Sequence, residues 1–304
     1  HTRSDSVTGF QTCALPIFSG ANTTTGQLSL SFDAALGAAA GATLNVNGGV
    51  HNPTTTARAF LFNVGTGGTI NINSNFTAAT ATANQYYALQ KFGPGTLNFT
   101  TVNSTVFTNN FNVYGGTLAL SGAGTLAGGT GVALGVNSGS TVLIDNSGTN
   151  VNHRLGTRPF SLSNGTLQLI SNGAAAASQT LGAFTSTWGG NTIQINTTAQ
   201  NSTLTFASMN ANGLNGGSTL VFRSAGTGAN FGTNQNKVIF TTAPTLTPAT
   251  TGILARGIVI DGTGTNFATY GANGIVGFSA YNNSGAYTNI NSAGVTDTVK
   301  VGTG

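Results

Sequence analysis

A short phrase recurs along this chain: a glycine, one or two small polar residues, then apolar residues alternating with polar ones. It reads Gly68-Thr-Ile-Asn-Ile72, Gly95-Thr-Leu-Asn-Phe99, Gly116-Thr-Leu-Ala-Leu120 and Gly165-Thr-Leu-Gln-Leu169, with looser copies opening at Gly41, Gly139, Gly190 and Gly217. The copies are marked by Thr43, Thr69, Thr96, Thr117, Thr141, Thr166, Thr192 and Thr219, roughly 21 to 27 residues apart. Each is a turn glycine followed by a short strand with every second side chain apolar. One such strand cannot bury its apolar face alone, whereas a stack of them can. The spacing therefore predicts an all-β chain wound as a parallel β-solenoid (β-helix), with single-stranded repeat rungs of roughly 21 to 27 residues. The inward positions follow from the alternation: Leu44 and Val46, Ile70 and Ile72, Leu97 and Phe99, Leu118 and Leu120, Leu167 and Leu169, Ile193 and Ile195, Leu204 and Phe206, Leu220 and Phe222.

Composition argues for folded β structure over a flexible tract. The chain has 45 glycines among 304 residues, but 39% of residues are apolar and they fall in period-2 runs. Disordered chains usually combine low hydrophobicity with high net charge, and this one has neither. Ala-rich stretches at 34–40 and 174–177 are too short and too glycine-flanked to hold an isolated helix. No stretch approaches the roughly 18 uninterrupted apolar residues of a membrane-spanning helix.

The charged residues limit the chemistry. Only 5% of residues are charged, there is no Glu, and the acids are Asp5, Asp33, Asp145, Asp261 and Asp297. The net charge of +4 rests on nine Lys and Arg. Their closest grouping is His153, Arg154 and Arg158 on one predicted loop, which is far from a phosphate-neutralising stripe, so no nucleic-acid partner is expected. A glycoside hydrolase needs two carboxylates held about 5 to 9.5 Å apart. Here no Asp-Asp or Asp-x-Asp pair occurs, and Asp33, Asp145 and Asp261 sit beside turn-forming residues. Calcium nonapeptide repeats require Gly-Gly-x-Gly-x-Asp, and the Gly-Gly pairs at 48, 67, 115 and 128 lack the Asp. His51 and His153 have no metal-ligand spacing and read as surface turn residues. The expected catalytic, cofactor-binding and metal-binding sets are all empty, and the chain is read as not an enzyme. Trp188, Tyr86, Tyr87 and Tyr281 would form a sugar-stacking platform if exposed, although aromatic residues of β proteins usually lie in the core.

The ends stand apart from the repeats. Residues 7–17 resemble the conceptual translation of a sequencing-library adapter, so residues 1–18 are read as non-native, and with them the lone cysteine, Cys13. Residues 19–222 are read as the solenoid repeats. Residues 223–304 are read as their continuation with larger loops, broken by Pro244 and Pro248, and cut short in a strand at 298–304.

One segment carries a family resemblance. Lys91-Phe-Gly-Pro-Gly95-Thr-Leu97-Asn-Phe99, followed by Gly115-Gly-Thr-Leu-Ala-Leu120, resembles the autotransporter-associated β-strand repeat, in which a Lys-x-Gly-x-Gly-Thr-Leu strand precedes a second Gly-Gly-Thr-Leu strand. The intervening Asn103–Asn109 stretch departs from that repeat's usual Asn-Thr-Tyr-Thr-Gly-Gly centre. Residues 237–246, 264–270 and 273–276 are similar to repeat-containing surface proteins of planctomycetes and verrucomicrobia. The resemblance implies a right-handed β-helical passenger, exported to or beyond the outer membrane of a Gram-negative-type cell, structural or adhesive and without catalytic residues. Expected partners are surface polysaccharides or other cells, together with self-association through exposed strand edges. The alternatives are a polysaccharide-active β-helix lyase or hydrolase, and a self-assembling amyloid-like matrix component.

Overall fold

A computed structural model describes residues 17–281, apart from 30–31, 57, 79–85, 103–109, 127–131, 198–199, 215–216, 227–229, 234–235 and 248–251. The readings of Cys13, Asp5, Asp297, the Gly128–Gly129 pair, the Asn103–Asn109 stretch and the terminal strand at 298–304 lie outside the described residues, as does nearly all of segment 1–18.

The described residues form strands and turns with no helix. The Gly-Thr-Leu phrases become consecutive strands of one twelve-stranded sheet: Thr43–Val46, Thr69–Ile72, Thr96–Phe99, Thr117–Leu120, Thr141–Asp145, Thr166–Ile170, Gly189–Thr197 and Ser218–Gly226. Ala21–Thr24 precedes them and Gly257–Asp261 follows, every neighbour being parallel. Parallel neighbours need a crossover between them, and the chain supplies one by winding through a second sheet on each turn. The molecule is a β-solenoid.

The phrase marks one strand per turn, but the turn contains more. An eleven-stranded sheet forms an opposite wall from Ala34–Ala38, Arg58–Val64, Tyr86–Phe92, Phe111–Val113, Leu134–Asn137, Phe160–Ser163 and Phe184–Ser186, among others. Leu28–Ser29, Val50–Asn52 and Phe76–Ala78 add a short third face to the first turns. The long strand Ser202–Leu214 pairs with Ala177–Leu181 through its first half and with Phe184–Ser186 through its second.

All sixteen predicted inward side chains are fully buried, at 0% exposure. At about 1.5 to 3 kcal/mol for each fully buried Leu, Ile, Val or Phe, these side chains are a leading stabilising term. Sheet-to-sheet space is filled by aromatic rings from the second wall. Phe60 and Phe62 meet edge to face at 4.6 Å, and Phe206 stacks on Phe240 at 5.4 Å.

Register follows the phrase for seven copies. Thr43, Thr69, Thr96, Thr117, Thr141, Thr166 and Thr192 pair in single file, each half-exposed on the outer face. The eighth copy is displaced. Thr192 pairs with Val221, so Thr219 lies two residues out of line opposite Gly190. A slip of two keeps the pleat, and Leu220 and Phe222 still point inward. Beside the threonines runs an amide column, in which Asn98 Nδ2 donates to Asn71 Oδ1 at 3.2 Å and Asn71 Nδ2 to Asn45 Oδ1 at 2.9 Å.

Turn glycines answer to crowding. A Cβ at Gly124 would collide with the Phe99 carbonyl oxygen of the turn before. Beyond Gly257–Asp261 the sheet changes direction: Gly264–Gly271 and Gly274–Gly277 add as an antiparallel hairpin. Gly274 lies against the Val238 carbonyl of the neighbouring strand Asn236–Thr242, where a side chain would not fit.

Candidate functional site

Three groups of residues carry chemistry on this scaffold: buried cations, acids at turns, and exposed rings along one corner.

Lys91 lies in Tyr86–Phe92 at an inward position, between Phe62 on one turn and Val113 on the next. Its Nζ donates to the carbonyls of Gly93 at 2.6 Å, Gly115 at 2.8 Å and Phe92 at 3.2 Å. It thereby ties its own turn to the following one. Burial pulls its ammonium down to about 8 from 10.5, so it remains mostly protonated at neutral pH. Between those two values the unfolded chain holds a proton that the folded chain has released, so stability rises with pH. We expect the unfolding free energy, measured in urea, to increase from pH 8 to pH 9.5, and Lys91→Met to flatten that rise.

Arg154 and Arg158 lie on the expected loop with His153, and both of their side chains are fully buried. Arg154 uses its whole fork. Nε donates to Asn146 Oδ1 at 2.7 Å, Nη1 to the Gly124 carbonyl at 2.6 Å, and Nη2 to the carbonyls of Gly122, Thr149 and Asp145 at 2.8, 2.8 and 3.1 Å. Burial lowers its pKa to about 10, partly opposed by the charge of Asp145. Arg158, lowered to about 10 by burial, has no acceptor for Nε, Nη1 or Nη2 among the described residues. Of the expected grouping only His153 is exposed, in the left-handed region at φ 55°. With two of its three members inside the solenoid, the grouping presents no basic surface.

The described acids are held by backbone. Asp33 Oδ1 accepts from the Ala59 amide at 2.9 Å, across one turn of the solenoid. Asp145 accepts from the Ser147 amide and hydroxyl, and Asp261 from the amides of Thr263 and Phe231. The bonds of Asp145 and Asp261 to the amides two residues on are the turn roles their neighbours suggested, whereas that of Asp33 runs between turns of the solenoid. His51 is a strand residue, not a turn residue, and its Nδ1 lies 2.9 Å from Thr77 Oγ1. Among the described residues no three His, Cys, Asp or Glu gather as a metal site, and no helix is long and apolar enough to cross a membrane.

A surface cleft of about 540 Å³ opens beside the second wall, lined by Thr185, Ser208, Met209, Asn210, Pro244 and Leu254 among others. No titratable side chain lines it.

Of the four rings expected to form a sugar-stacking platform if exposed, Trp188, Tyr86, Tyr87 and Tyr281, the structure describes the side chains of Trp188 and Tyr281. Trp188 is 65% exposed at the corner between the two large sheets. Tyr281 follows the C-terminal hairpin, where its hydroxyl accepts from the Phe267 amide. The side chains of Tyr86 and Tyr87 lie outside the described residues. The sequence reading missed Tyr114, which is exposed on the same corner and stacked on Phe92 with ring centroids 5.2 Å apart. Its position one residue after an inward-alternating strand, ahead of Gly115 and Gly116, was the available signal. Comparison of the chain with protein families, with curated proteins and with solved structures finds no match.

Proposed function

We propose that this chain is a non-enzymatic structural or adhesive rod, part of an autotransporter-like surface passenger displayed outside a Gram-negative-type cell. The observation that carries the reading is the run of parallel turns whose outer face bears neutral hydroxyl and amide columns while the described acids are occupied by backbone amides. Such a surface suits many weak contacts repeated along an axis, where avidity comes from number and not from one pocket. Lys91 fits the same reading. In the Lys-x-Gly-x-Gly-Thr-Leu pattern the lysine clamps the turn glycines, a structural role with no chemistry attached. The cleft beside Met209 lacks the paired carboxylates that a hydrolytic alternative would use.

The test is location. Antibodies against the chain are expected to label intact cells of the encoding organism, and external protease to remove the signal. Labelling only after permeabilisation would overturn the reading.

A further inference from the structure

Exposed rings and neutral polar side chains line one corner of the solenoid in register. The second-wall strands end there, so the residues that follow them stack turn upon turn. Val113 pairs with Val136, and Asn137 with Ser163, which places Tyr114, Asn137 and Ser163 in succession. The Thr187 amide donates to the Leu162 carbonyl, and the Asn164 amide to the Trp188 carbonyl, which sets residues 187–188 on the next turn of the same corner. The order along the axis is therefore Tyr114, then Asn137 and Ser138, then Ser163 and Asn164, then Thr187 and Trp188. No charged residue stands among these seven. Three turns at about 4.8 Å each separate the two rings, a span of about 14 Å.

Both rings are held by the fold. Tyr114 lies nearly parallel to Phe92, at 18°. Trp188 packs over Gly217 of the next turn, where a Cβ would stand 3.5 Å from its Cε3 and Cζ3. Its carbonyl is fixed from two sides, by the Asn164 amide at 2.8 Å and by Asn191 Nδ2 at 3.0 Å. Ordering a ring on binding costs entropy, and that cost is largely met here before any ligand arrives.

We infer that this corner binds a linear, neutral polysaccharide lying along the solenoid axis, stacked on Trp188 and Tyr114 and hydrogen-bonded by the amides and hydroxyls between them. The proposal rests on the adhesive reading and names its ligand class. Rings present an apolar face to sugar C–H groups, while Asn, Ser and Thr supply donors and acceptors for hydroxyls. Single-stranded nucleic acid also stacks on rings, but it requires a cationic groove, and Lys91, whose Nζ reaches the Gly115 carbonyl beside Tyr114, is fully buried and presents no charge to this surface.

Trp188 is the single tryptophan of the chain and reports on the site directly. The chain is titrated with cellohexaose, laminarihexaose and chitohexaose, with polygalacturonate as the charged control. At least one neutral glycan is expected to shift Trp188 emission to the blue and to shield it from acrylamide. Trp188→Ala is then expected to lower retention on that glycan, immobilised, by on the order of tenfold, the loss typical of a stacking anchor. Tyr114→Ala should weaken it several-fold, and Phe267→Ala, an exposed ring on the C-terminal hairpin, should leave it unchanged. Unchanged circular dichroism in each variant shows that the fold is intact. The proposal is overturned if no neutral glycan alters Trp188 emission or quenching at millimolar concentration, if polygalacturonate binds as well, or if Trp188→Ala is retained like the parent chain. Any of these would leave the cell-labelling result standing, so the two readings fail separately.

Discussion

Ile193→Asp is expected to abolish the cooperative fold around it. Ile193 is at 0% exposure between Leu167 on one turn and Phe222 on the next. The substitution removes about 2 to 5 kcal/mol of packing and buries a carboxylate with no hydrogen-bond donor or cation provided for it, costing several kcal/mol more. Together these rival the roughly 5 to 15 kcal/mol that holds a typical domain. Because each turn touches chiefly its neighbours, the damage should be greatest near residue 193. Hydrogen exchange is expected to lose protection in strands Thr166–Ile170 and Ser218–Gly226 first, and in Thr43–Val46 last. The neighbouring Thr192→Asp places the same charge on the half-exposed outer face and should change stability by less than about 1 kcal/mol. Equal urea midpoints for the two variants would mean that the assigned inward register is wrong.

Arg154→Met is expected to cost about 3 to 5 kcal/mol, because each buried acceptor left without its donor costs about 1 to 3 kcal/mol and relief of the buried charge offsets part of the sum. Four carbonyls and the Asn146 amide oxygen lose their donor together. Two of those carbonyls, Gly122 and Gly124, belong to the preceding turn, so the guanidinium fastens residues 145–154 to the turn before it. Arg154→Lys keeps the charge but offers three rotatable donors in place of a planar fork, and should recover less than half of the loss. A urea midpoint for Arg154→Met matching that of the parent chain would refute this role.

The part of the fold that was legible in the sequence is the part set by local alternation. Leu97 and Phe99, or Leu167 and Leu169, announce their face because a pleat has period two and the interior admits only apolar groups. Apart from Leu204 and Phe206, the opposite wall was not legible. Ala34–Ala38, Phe111–Val113 and Phe184–Ser186 share no phrase, and they become strands by pairing with one another across turns. The slip at Thr219 was also invisible, since a two-residue shift preserves every inward assignment. The burial of the loop cations was not legible either: Arg154 and Arg158 stand among polar residues, and only the closure of the turns surrounds Arg154 with carbonyls. At the corner, Trp188 was named as a ring that would stack sugars if exposed, whereas Tyr114 and the polar residues between the two rings acquire meaning only from register.

The amide column on the outer face gives the rod a direction. In each of its two links the later asparagine donates and the earlier one accepts, and Ser121 Oγ continues the series by donating to Asn98 Oδ1 at 2.9 Å. A parallel partner file runs alongside, from Thr100 through Asn73 to Asn47. Strand backbones contribute little net dipole to a sheet, so these side chains are the aligned component, and bonds in series polarise one another. Their N–H ends all face the start of the chain. The two termini of this stretch are thus electrically distinct, positive toward Asn45 and negative toward Ser121, in a segment that contains hardly any formal charge.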